Sequence, residues 1–139
     1  MKEKHLEAYF KCAEAFAECS SSKRLKVGSV IIKNNRIVSC GYNGLPEHMN
    51  GEMEDENGKT KPQVRHSEMN ALLGLIKSNE SAVGATLICT HSCCELCAVN
   101  IVDSGITNFY YKHEYRCDKG VQYLKDNGVT VFKIGEDAA

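Results

Sequence analysis

Three cysteines lie within five positions in the segment HSCCELC, residues 91–97. Two of them, Cys94 and Cys97, form a C-x-x-C pair. At the start of a helix, positions i and i+3 share one face, so both sulfurs can reach one ion. Backbone N–H groups and the helix dipole at that end also stabilise thiolate, the form that binds metal. Cys93 with Cys97 is geometrically possible, but Cys93 would then lie at or before the cap, so we favour Cys94 with Cys97.

A third ligand is expected upstream, in the segment His66-Ser67-Glu68 at the start of another predicted helix. The imidazole of His66 suits zinc, and one histidine with two cysteines leaves a tetrahedral position open for water, as catalytic zinc requires. Glu68 follows two residues later, where its carboxylate can lie beside that water and carry protons. The two segments together predict a catalytic zinc centre, with Glu68 as the catalytic residue and the histidine and two cysteines as ligands.

Two plainer interpretations of these residues compete with catalytic zinc. A lone C-x-x-C in a cytosolic chain also occurs in redox-active proteins and as half of a structural zinc ribbon. A ribbon needs a second C-x-x-C, which this sequence lacks, and the pair comes too late for the early β-α context of a thioredoxin-like protein. A lone histidine is more often a surface or core residue than a ligand, so the zinc interpretation depends on both segments together.

The composition is that of an ordinary globular protein. Of the 139 residues, 42% are hydrophobic and 25% charged, and 17 basic against 18 acidic side chains give a net charge of −1. This balance gives no support to binding of duplex nucleic acid. The N-terminal segment mixes charged and apolar residues, so we expect neither a secretory signal nor a membrane span, and a cytoplasmic location. In that reducing compartment the eight cysteines indicate metal binding or catalysis rather than disulfides.

Helices and strands are predicted to alternate along most of the chain. The apolar spacing from Leu6 to Cys19 predicts a helix, and two β-branched runs around Asn34-Asn35 predict a hairpin. Residues 45–65 are polar and acidic and predict a long loop, a type of connection that is often functional. The remaining predictions are helices at 67–77, 94–105 and 118–128 and strands at 85–90, 106–112 and 129–134. This order predicts an α/β fold, in one domain over residues 1–139, with parallel strand pairs and helices on the faces of the sheet.

The H-x-E and C-x-x-C segments resemble those of the zinc-dependent cytidine deaminase superfamily. Within it the chain is most similar to the deoxycytidylate (dCMP) deaminases, through KVGSVIIKNNRIVSCGYNG, RHSEMNAL, ATLICTHSCCELCAVNIVDSGI and YYKHEYRCDKGVQYLKDNGV. The resemblance covers nearly the whole chain and implies a three-layer α/β/α sandwich with a central mixed sheet of roughly five strands. Two residues depart from the family pattern. Cys93 stands where proline is usual, and Ser67 stands where alanine is common and could cap the helix.

The resemblance also implies a reaction and its control. The reaction is the zinc-dependent hydrolytic deamination of dCMP to dUMP and ammonia, with Glu68 carrying protons, in a pathway that feeds thymidylate synthesis. Members of the family are commonly homohexamers that dCTP with Mg²⁺ activates and dTTP inhibits. A regulatory nucleotide is therefore expected near Tyr42, Asn43 and Gly44. The protein would act in the cytoplasm, or in the host cytoplasm if it is viral.

The sequence gives a weaker signal for the residues that would contact the substrate than for the zinc ligands. The segment SSSKRLKVG contains Ser22, Arg24 and Lys26, which are candidates to hold the 5′-phosphate, although a solvated polar turn is an equally simple interpretation. Asn43 could bond the sugar or base, but Asn-Gly is also a common turn pair. Tyr111 and Tyr115 could stack on the pyrimidine or sugar, but two aromatic residues four positions apart are more often packing residues.

A second zinc site was also considered. Cys19, Cys40, His48 and His91 are of suitable types and are not used by the first site. The simpler interpretation makes the cysteines small buried apolar groups and the histidines incidental.

Two other classes of function fit part of the pattern. A deaminase of another cytosine nucleoside or nucleotide, or of a nucleobase, would keep the chemistry; a tRNA deaminase would need a basic flank, and none is obvious here. A structural zinc-binding interaction module would normally close the fourth zinc position with protein and would have no use for Glu68. Incubation with dCMP, cytidine and CMP separates these possibilities.

Overall fold

A mixed sheet forms the centre of the computed structural model, which describes residues 1–46, 48–49 and 51–135. Its strands within those ranges are β1 (Gly28–Lys33), β2 (Arg36–Tyr42), β3 (Thr86–His91), β4 (Asn108–His113) and β5 (Thr130–Lys133). The five strands lie in the order β2-β1-β3-β4-β5. β1 is antiparallel to both of its neighbours, whereas β3, β4 and β5 are parallel to one another. The predicted mixed sheet with parallel pairs is therefore confirmed.

Helices cover both faces of this sheet. Within the described ranges they are α1 (Glu3–Ala17), α2 (Ser67–Ile76), α3 (Glu95–Ser104) and α4 (Lys119–Asp126). Successive strand residues point to opposite faces, so Val30 packs with Phe10 and Ala13 of α1, while its neighbour Ile31 enters the core beneath α2, α3 and α4. The larger core also contains Phe109 of β4. This is the predicted three-layer α/β/α sandwich.

The hairpin of β1 and β2 brings the start of α2 against the sheet. Its turn residues, Asn34 and Asn35, have φ values of 52° and 60°, the left-handed backbone that a two-residue hairpin turn needs and that asparagine tolerates. Gly41 on β2 allows a close approach of α2, because a Cβ at this position would lie 2.5 Å from the carbonyl oxygen of Ser67. The hairpin thus fixes the position of the H-x-E segment.

The predicted elements are found with small differences at their ends; α1, for example, ends at Ala17 rather than at Cys19. The described residues between 45 and 65 contain no helix or strand, and Glu54 and Thr60 form an isolated β-bridge there. No helix in the described ranges is long and apolar enough to cross a membrane. One domain over residues 1–139 stays a prediction, and residues 136–139 lie outside the described part of the chain.

Candidate active site

His66, Cys94 and Cys97 come together where two helices begin. His66 and Cys94 are the N-cap residues of α2 and α3, each with extended backbone, and Cys97 lies in the first turn of α3. The Nδ1 atom of His66 is 3.2 Å from Sγ of Cys97 and 3.4 Å from Sγ of Cys94. All three potential ligand atoms lie within 4.8 Å of one another.

The chemistry and spacing of these three atoms fit a zinc ion. Tetrahedral zinc, at about 2.0 Å from nitrogen and about 2.3 Å from sulfur, separates neighbouring ligand atoms by about 3.5 Å. The two nitrogen–sulfur distances are already close to that value. Among residues 1–46, 48–49 and 51–135, no other three His, Cys, Asp or Glu side chains cluster this tightly, and no fourth one joins this group. Three protein ligands leave one position for water or substrate, which is typical of catalytic zinc.

The imidazole and the two sulfurs share protons. Hydrogen bonds from the Cys97 thiol and from the His66 ring lower the pKa of Cys94 to about 4. The hydrogen bond with Cys94 raises the pKa of His66, and the bond to Cys94 together with burial raises the pKa of Cys97. The backbone N–H of Cys97 also points at the Cys94 sulfur, at 3.5 Å. Because ligands bind metal in their deprotonated forms, metal binding here releases protons.

Glu68 lies in the first turn of α2, where its side chain is 3% exposed. Its Oε1 atom accepts a hydrogen bond of 2.6 Å from the hydroxyl of Ser67, and the residue lines the same cleft as His66 and Cys94. The interpretation of Ser67 as a helix cap was wrong: His66 occupies the N-cap position, and the serine hydroxyl turns to the carboxylate instead. A carboxylate in this position can carry protons for a reaction in the cleft.

Cys93 takes no part in the ligand cluster. Its side chain is 1% exposed and packs in the larger core, and burial raises the pKa of its thiol, which therefore stays neutral. Gly120 of α4 packs directly against the backbone of the turn at Cys93 and Cys94. A Cβ at Gly120 would collide with the Cys93 carbonyl oxygen and lie 2.7 Å from that of Cys94. This geometry agrees with the choice of Cys94, rather than Cys93, as the partner of Cys97.

A cleft of about 720 Å³ opens in front of the ligand cluster, a volume suited to a small molecule. Its floor includes His66, Glu68 and Cys94. We call the surrounding wall the cleft rim; it consists of Arg24, Leu25, Val27, Asn43, Thr60 and residues 113–116. The cleft therefore joins the ligand cluster to a rim built from loops.

Of the predicted substrate residues, Arg24, Asn43 and Tyr115 line the cleft, whereas Ser22 and Lys26 are not part of its described lining. The hydroxyl of Ser22 accepts hydrogen bonds from two backbone N–H groups of its own turn, at 3.3 and 3.2 Å. Lys26 lies 3.8 Å from the carboxylate of Glu18. Substrate contact by any of the five stays a prediction.

The side-chain amide of Asn43 forms hydrogen bonds with the neighbouring backbone. Its Oδ1 atom accepts a 2.9 Å hydrogen bond from the N–H of Val27, and its Nδ2 atom donates one of 2.8 Å to the carbonyl of Leu25. Asn43 therefore holds the rim segment that follows Arg24 in place.

The segment predicted to bind a regulatory nucleotide adjoins the rim. Tyr42 is 39% exposed, and its carbonyl accepts a 2.8 Å hydrogen bond from the side chain of Asn70 in α2. Gly44 exchanges two backbone hydrogen bonds with Arg65, at 3.0 and 2.9 Å. These contacts connect the segment to the start of α2, and nucleotide binding there stays a prediction.

The four residues considered for a second zinc are not gathered into one tight group in the described structure. Cys19 and His48 are exposed, and Cys40 is half-buried, with a pKa that burial and the nearby Cys19 raise. His91 lies in the cleft, where its Nδ1 atom is 2.8 Å from the hydroxyl of Thr90. The second zinc stays a prediction without geometric support.

The sequence reasoning missed six residues of the rim: Leu25, Val27, Thr60, His113, Glu114 and Arg116. A signal was available for His113, Glu114 and Arg116, because they lie at or just after the end of β4 and the carboxyl ends of parallel strands commonly border a ligand crevice. The ring centroid of His113, at the end of β4, lies 5.0 Å from that of His91, at the end of the neighbouring strand β3. Thr60 gave no signal, since its position depends on how the long loop folds back.

Residues 3–113 match the family model for the cytidine and deoxycytidylate deaminase zinc-binding region. The chain belongs to this family. The matched region contains the ligand cluster and Glu68, and the family membership expected from the sequence is confirmed.

Several relatives of this deaminase-family chain are deoxycytidylate deaminases. The one from Saccharomyces cerevisiae is 35% identical over 138 residues, which cover 90% of this chain but only 43% of the yeast protein. The one from Mycobacterium phage D29 is 33% identical over 122 residues, covering 78% of this chain and 94% of the phage protein. The dCMP deaminase of cyanophage S-TIM5, solved in complex with dCMP and dUMP, is 43% identical, with a TM-score of 0.93 over 96% of this chain and 99% of that one. The chain thus spans less than half of the yeast relative and nearly all of the two phage proteins.

Proposed function

We propose that this protein catalyses the hydrolytic deamination of dCMP to dUMP and ammonia. The observation that carries the proposal is the meeting of the His66, Cys94 and Cys97 ligand cluster with a buried carboxylate, Glu68, at the floor of one cleft. The similarity to dCMP deaminases of yeast and phages, one of them solved with dCMP and dUMP, supports this choice of substrate.

The proposed chemistry depends on proton transfer by Glu68. His66, Cys94 and Cys97 would hold zinc, which supplies Lewis-acid chemistry that makes water nucleophilic at neutral pH. Glu68 accepts a proton from that water and delivers it to N3 of the cytosine ring as the C4–O bond forms. The same carboxylate then passes the second proton of the water to the exocyclic amine. The C4–N bond breaks, ammonia leaves, and Glu68 returns to its starting state.

The cleft rim would hold the nucleotide around this chemistry. Arg24 and Arg116 are exposed at the cleft and can form charge-assisted hydrogen bonds to the 5′-phosphate. Leu25 and Val27 offer apolar surface to the base or sugar, on a backbone that Asn43 fixes with two hydrogen bonds.

Control by nucleotides is proposed from the family resemblance. dCTP with Mg²⁺ would activate a homohexamer and dTTP would inhibit it, with the regulator near Tyr42, Asn43 and Gly44. Because Asn43 also holds the rim, a ligand on this segment has a direct route to the substrate cleft. The enzyme would work in the cytoplasm and feed thymidylate synthesis. Velocity curves for dCMP that do not change with dCTP–Mg²⁺ or dTTP would contradict this control.

The decisive experiment compares dCMP, deoxycytidine, CMP and cytidine as substrates of the zinc-loaded protein. Loss of cytosine absorbance, with release of ammonia, is expected to be fastest with dCMP. The Glu68→Gln variant should keep its zinc and lose turnover by about 100-fold or more, because it removes the proton carrier. The matched control is Glu95→Gln, which changes an exposed acid in the first turn of α3 and should leave turnover near that of the unchanged protein.

Other outcomes of these experiments would support a different function or a different proton carrier. Faster reaction of a free nucleoside would make the protein a deaminase of that nucleoside. Bound zinc without any deamination of the four compounds would favour a structural zinc-binding module. Near-normal turnover by Glu68→Gln would refute the assignment of the proton carrier.

A further inference from the structure

A pair of buried serine hydroxyls lies behind the carboxylate of Glu68. Ser29 on β1 and Ser67 at the start of α2 are both 0% exposed, and their Oγ atoms are 2.7 Å apart. Ser67 in turn lies 2.6 Å from Oε1 of Glu68. A chain of hydroxyls therefore leads from the central sheet to the carboxylate.

The direction of these hydrogen bonds follows from counting protons. A serine hydroxyl has one proton to donate, and that of Ser67 goes to Oε1 of Glu68. Since Ser67 has no second proton, Ser29 is the donor in their 2.7 Å bond, although the same Ser29 hydroxyl also lies 3.2 Å from Sγ of Cys89. Cys89 on β3 completes the set, with its sulfur 3.6 Å from the same carboxylate oxygen. All three side chains thus act, directly or through one another, on Oε1.

The other carboxylate oxygen receives no hydrogen bond from the described residues, and Glu68 lines the cleft. Fixing one oxygen restricts rotation of the carboxylate and leaves the second oxygen able to take part in the reaction. Such restriction matters because proton transfer depends on placement within a fraction of an ångström. Burying two hydroxyls in a packed core also costs free energy unless each is bonded, so packing alone would favour small apolar residues at these positions.

We propose that Ser67, supported by Ser29, is a positioning residue that holds Oε1 of Glu68 and so orients the carboxylate for proton transfer. This inference rests on the proposed deamination of dCMP. It gives a role to the serine that stands where alanine is common in the family. It also predicts that Ser67 acts on the rate of the chemical step, not on metal or nucleotide binding.

The test is Ser67→Ala in the zinc-loaded enzyme, with kcat and KM for dCMP and zinc content measured together. We expect kcat to fall about tenfold, the loss expected when one hydrogen bond to a charged group is removed. KM and zinc per chain should stay unchanged. The matched control is Ser39→Ala. This change removes the 2.6 Å hydrogen bond from Ser39 on β2 to the Ala71 carbonyl of α2, the helix that also carries Ser67, and it does not touch Glu68. That variant should lose stability and keep its kcat.

A kcat within twofold of the unchanged enzyme would overturn the proposal, as would a fall in kcat that comes with loss of zinc. Should Ser67→Ala not fold, Ser29→Ala keeps the direct bond to Glu68 and removes its support. Ser29→Ala should lower kcat about threefold, a smaller effect than the loss of a bond made directly to the carboxylate. An unchanged kcat would contradict the proposal. If the unchanged protein does not deaminate dCMP, crystal structures decide instead: the carboxylate of Glu68 must be displaced in Ser67→Ala and not in Ser39→Ala.

Discussion

The ligand cluster and the cleft rim face the same cavity but are built in different ways. The cluster side chains lie at the starts of α2 and α3, which pack on the central sheet, and Cys97 and the adjacent Glu68 are buried. The rim lies on loops and on the segment after β4, and Arg24, Glu114 and Arg116 are exposed. The cluster is thus held by the core and the rim by a few hydrogen bonds between side chains and backbone.

This difference separates two kinds of mutational effect. A change in the cluster, or in the residues that pack directly against it, should cost metal, turnover and stability together, because bound zinc contributes to all three. A change in the rim should alter nucleotide binding and leave zinc and folding alone.

Replacing Cys97 by serine should abolish both zinc binding and deamination of dCMP. The hydroxyl is a poor zinc ligand compared with thiolate, and only two strong ligands would remain. Zinc per chain after dialysis against a weak chelator should approach zero, and the stabilisation that added zinc gives to the unchanged protein should disappear. Cys12→Ser is the control, since Cys12 lies in α1 beyond the opposite face of the sheet. One zinc per chain in Cys97→Ser would show that Cys97 is not a required ligand, and the contrast between ligand cluster and rim would lose its basis.

Replacing Gly120 by alanine should weaken the frame without touching a ligand. The new Cβ would collide with the Cys93 carbonyl, and backbone atoms cannot move aside as a flexible side chain can. We expect a loss of about 3 kcal/mol in the free energy of unfolding, at the upper end for overpacking, together with weaker zinc binding. Both are measurable by urea titration and competition with a chelator.

The control for this change is Gly44→Ala, where the nearest atoms to a new Cβ are ring carbons of Tyr42 at 3.7 and 3.8 Å. That variant should unfold at nearly the same urea concentration as the unchanged protein. An equal loss in both would show that the turn at residues 93–94 is not specially constrained.

The ligand cluster could be predicted from sequence because its geometry is local. The spacing of Cys94 and Cys97 places both on one face of a helix start, and His66 and Glu68 are two residues apart at another. The helices and strands followed from apolar spacing for the same reason. The pairing of the two helix starts followed from ligand chemistry, because a catalytic zinc needs a third ligand beside the two cysteines, and the resemblance supported it.

The hydrogen bonds that shape the rim and the environment of Glu68 could not be predicted, because most of them join distant parts of the chain. Asn43 was considered a ligand for sugar or base, but its amide bonds the backbone of residues 25 and 27. Ser67 was interpreted as a cap because capping is the usual role of serine near a helix start. Its hydroxyl instead donates to the adjacent Glu68, and its second partner, Ser29, lies on a strand 38 positions earlier in the chain.

Replacing Arg24 by glutamine should raise KM for dCMP and leave kcat and zinc content nearly unchanged. The exposed guanidinium lines the cleft, and losing one charge-assisted contact to phosphate should raise KM about tenfold. KM for deoxycytidine, which lacks the phosphate, should not change. Lys26→Gln is the matched control, because Lys26 neighbours the same segment but pairs with Glu18 outside the described lining of the cleft. Equal effects of the two changes would indicate a diffuse attraction by positive charge.

The smallest effect is expected at Glu114, a rim residue whose carboxylate pairs with Lys133 at 3.1 Å. The hydrogen bond from Lys133 lowers the pKa of Glu114 below its ordinary value of 4.5. A lowered pKa in the folded state stabilises the fold above that ordinary value, and the contribution disappears as the pH falls through the folded-state pKa. Because the Glu114 carboxylate is exposed, Glu114→Gln should reduce the free energy of unfolding by less than about 0.5 kcal/mol at pH 7, and by nothing measurable near pH 2. Urea titrations at both pH values check this, with the exposed Glu80→Gln as control. A loss at pH 7 comparable to that of Gly120→Ala would mean that the rim supports the fold, and the separation between rim and cluster would fail.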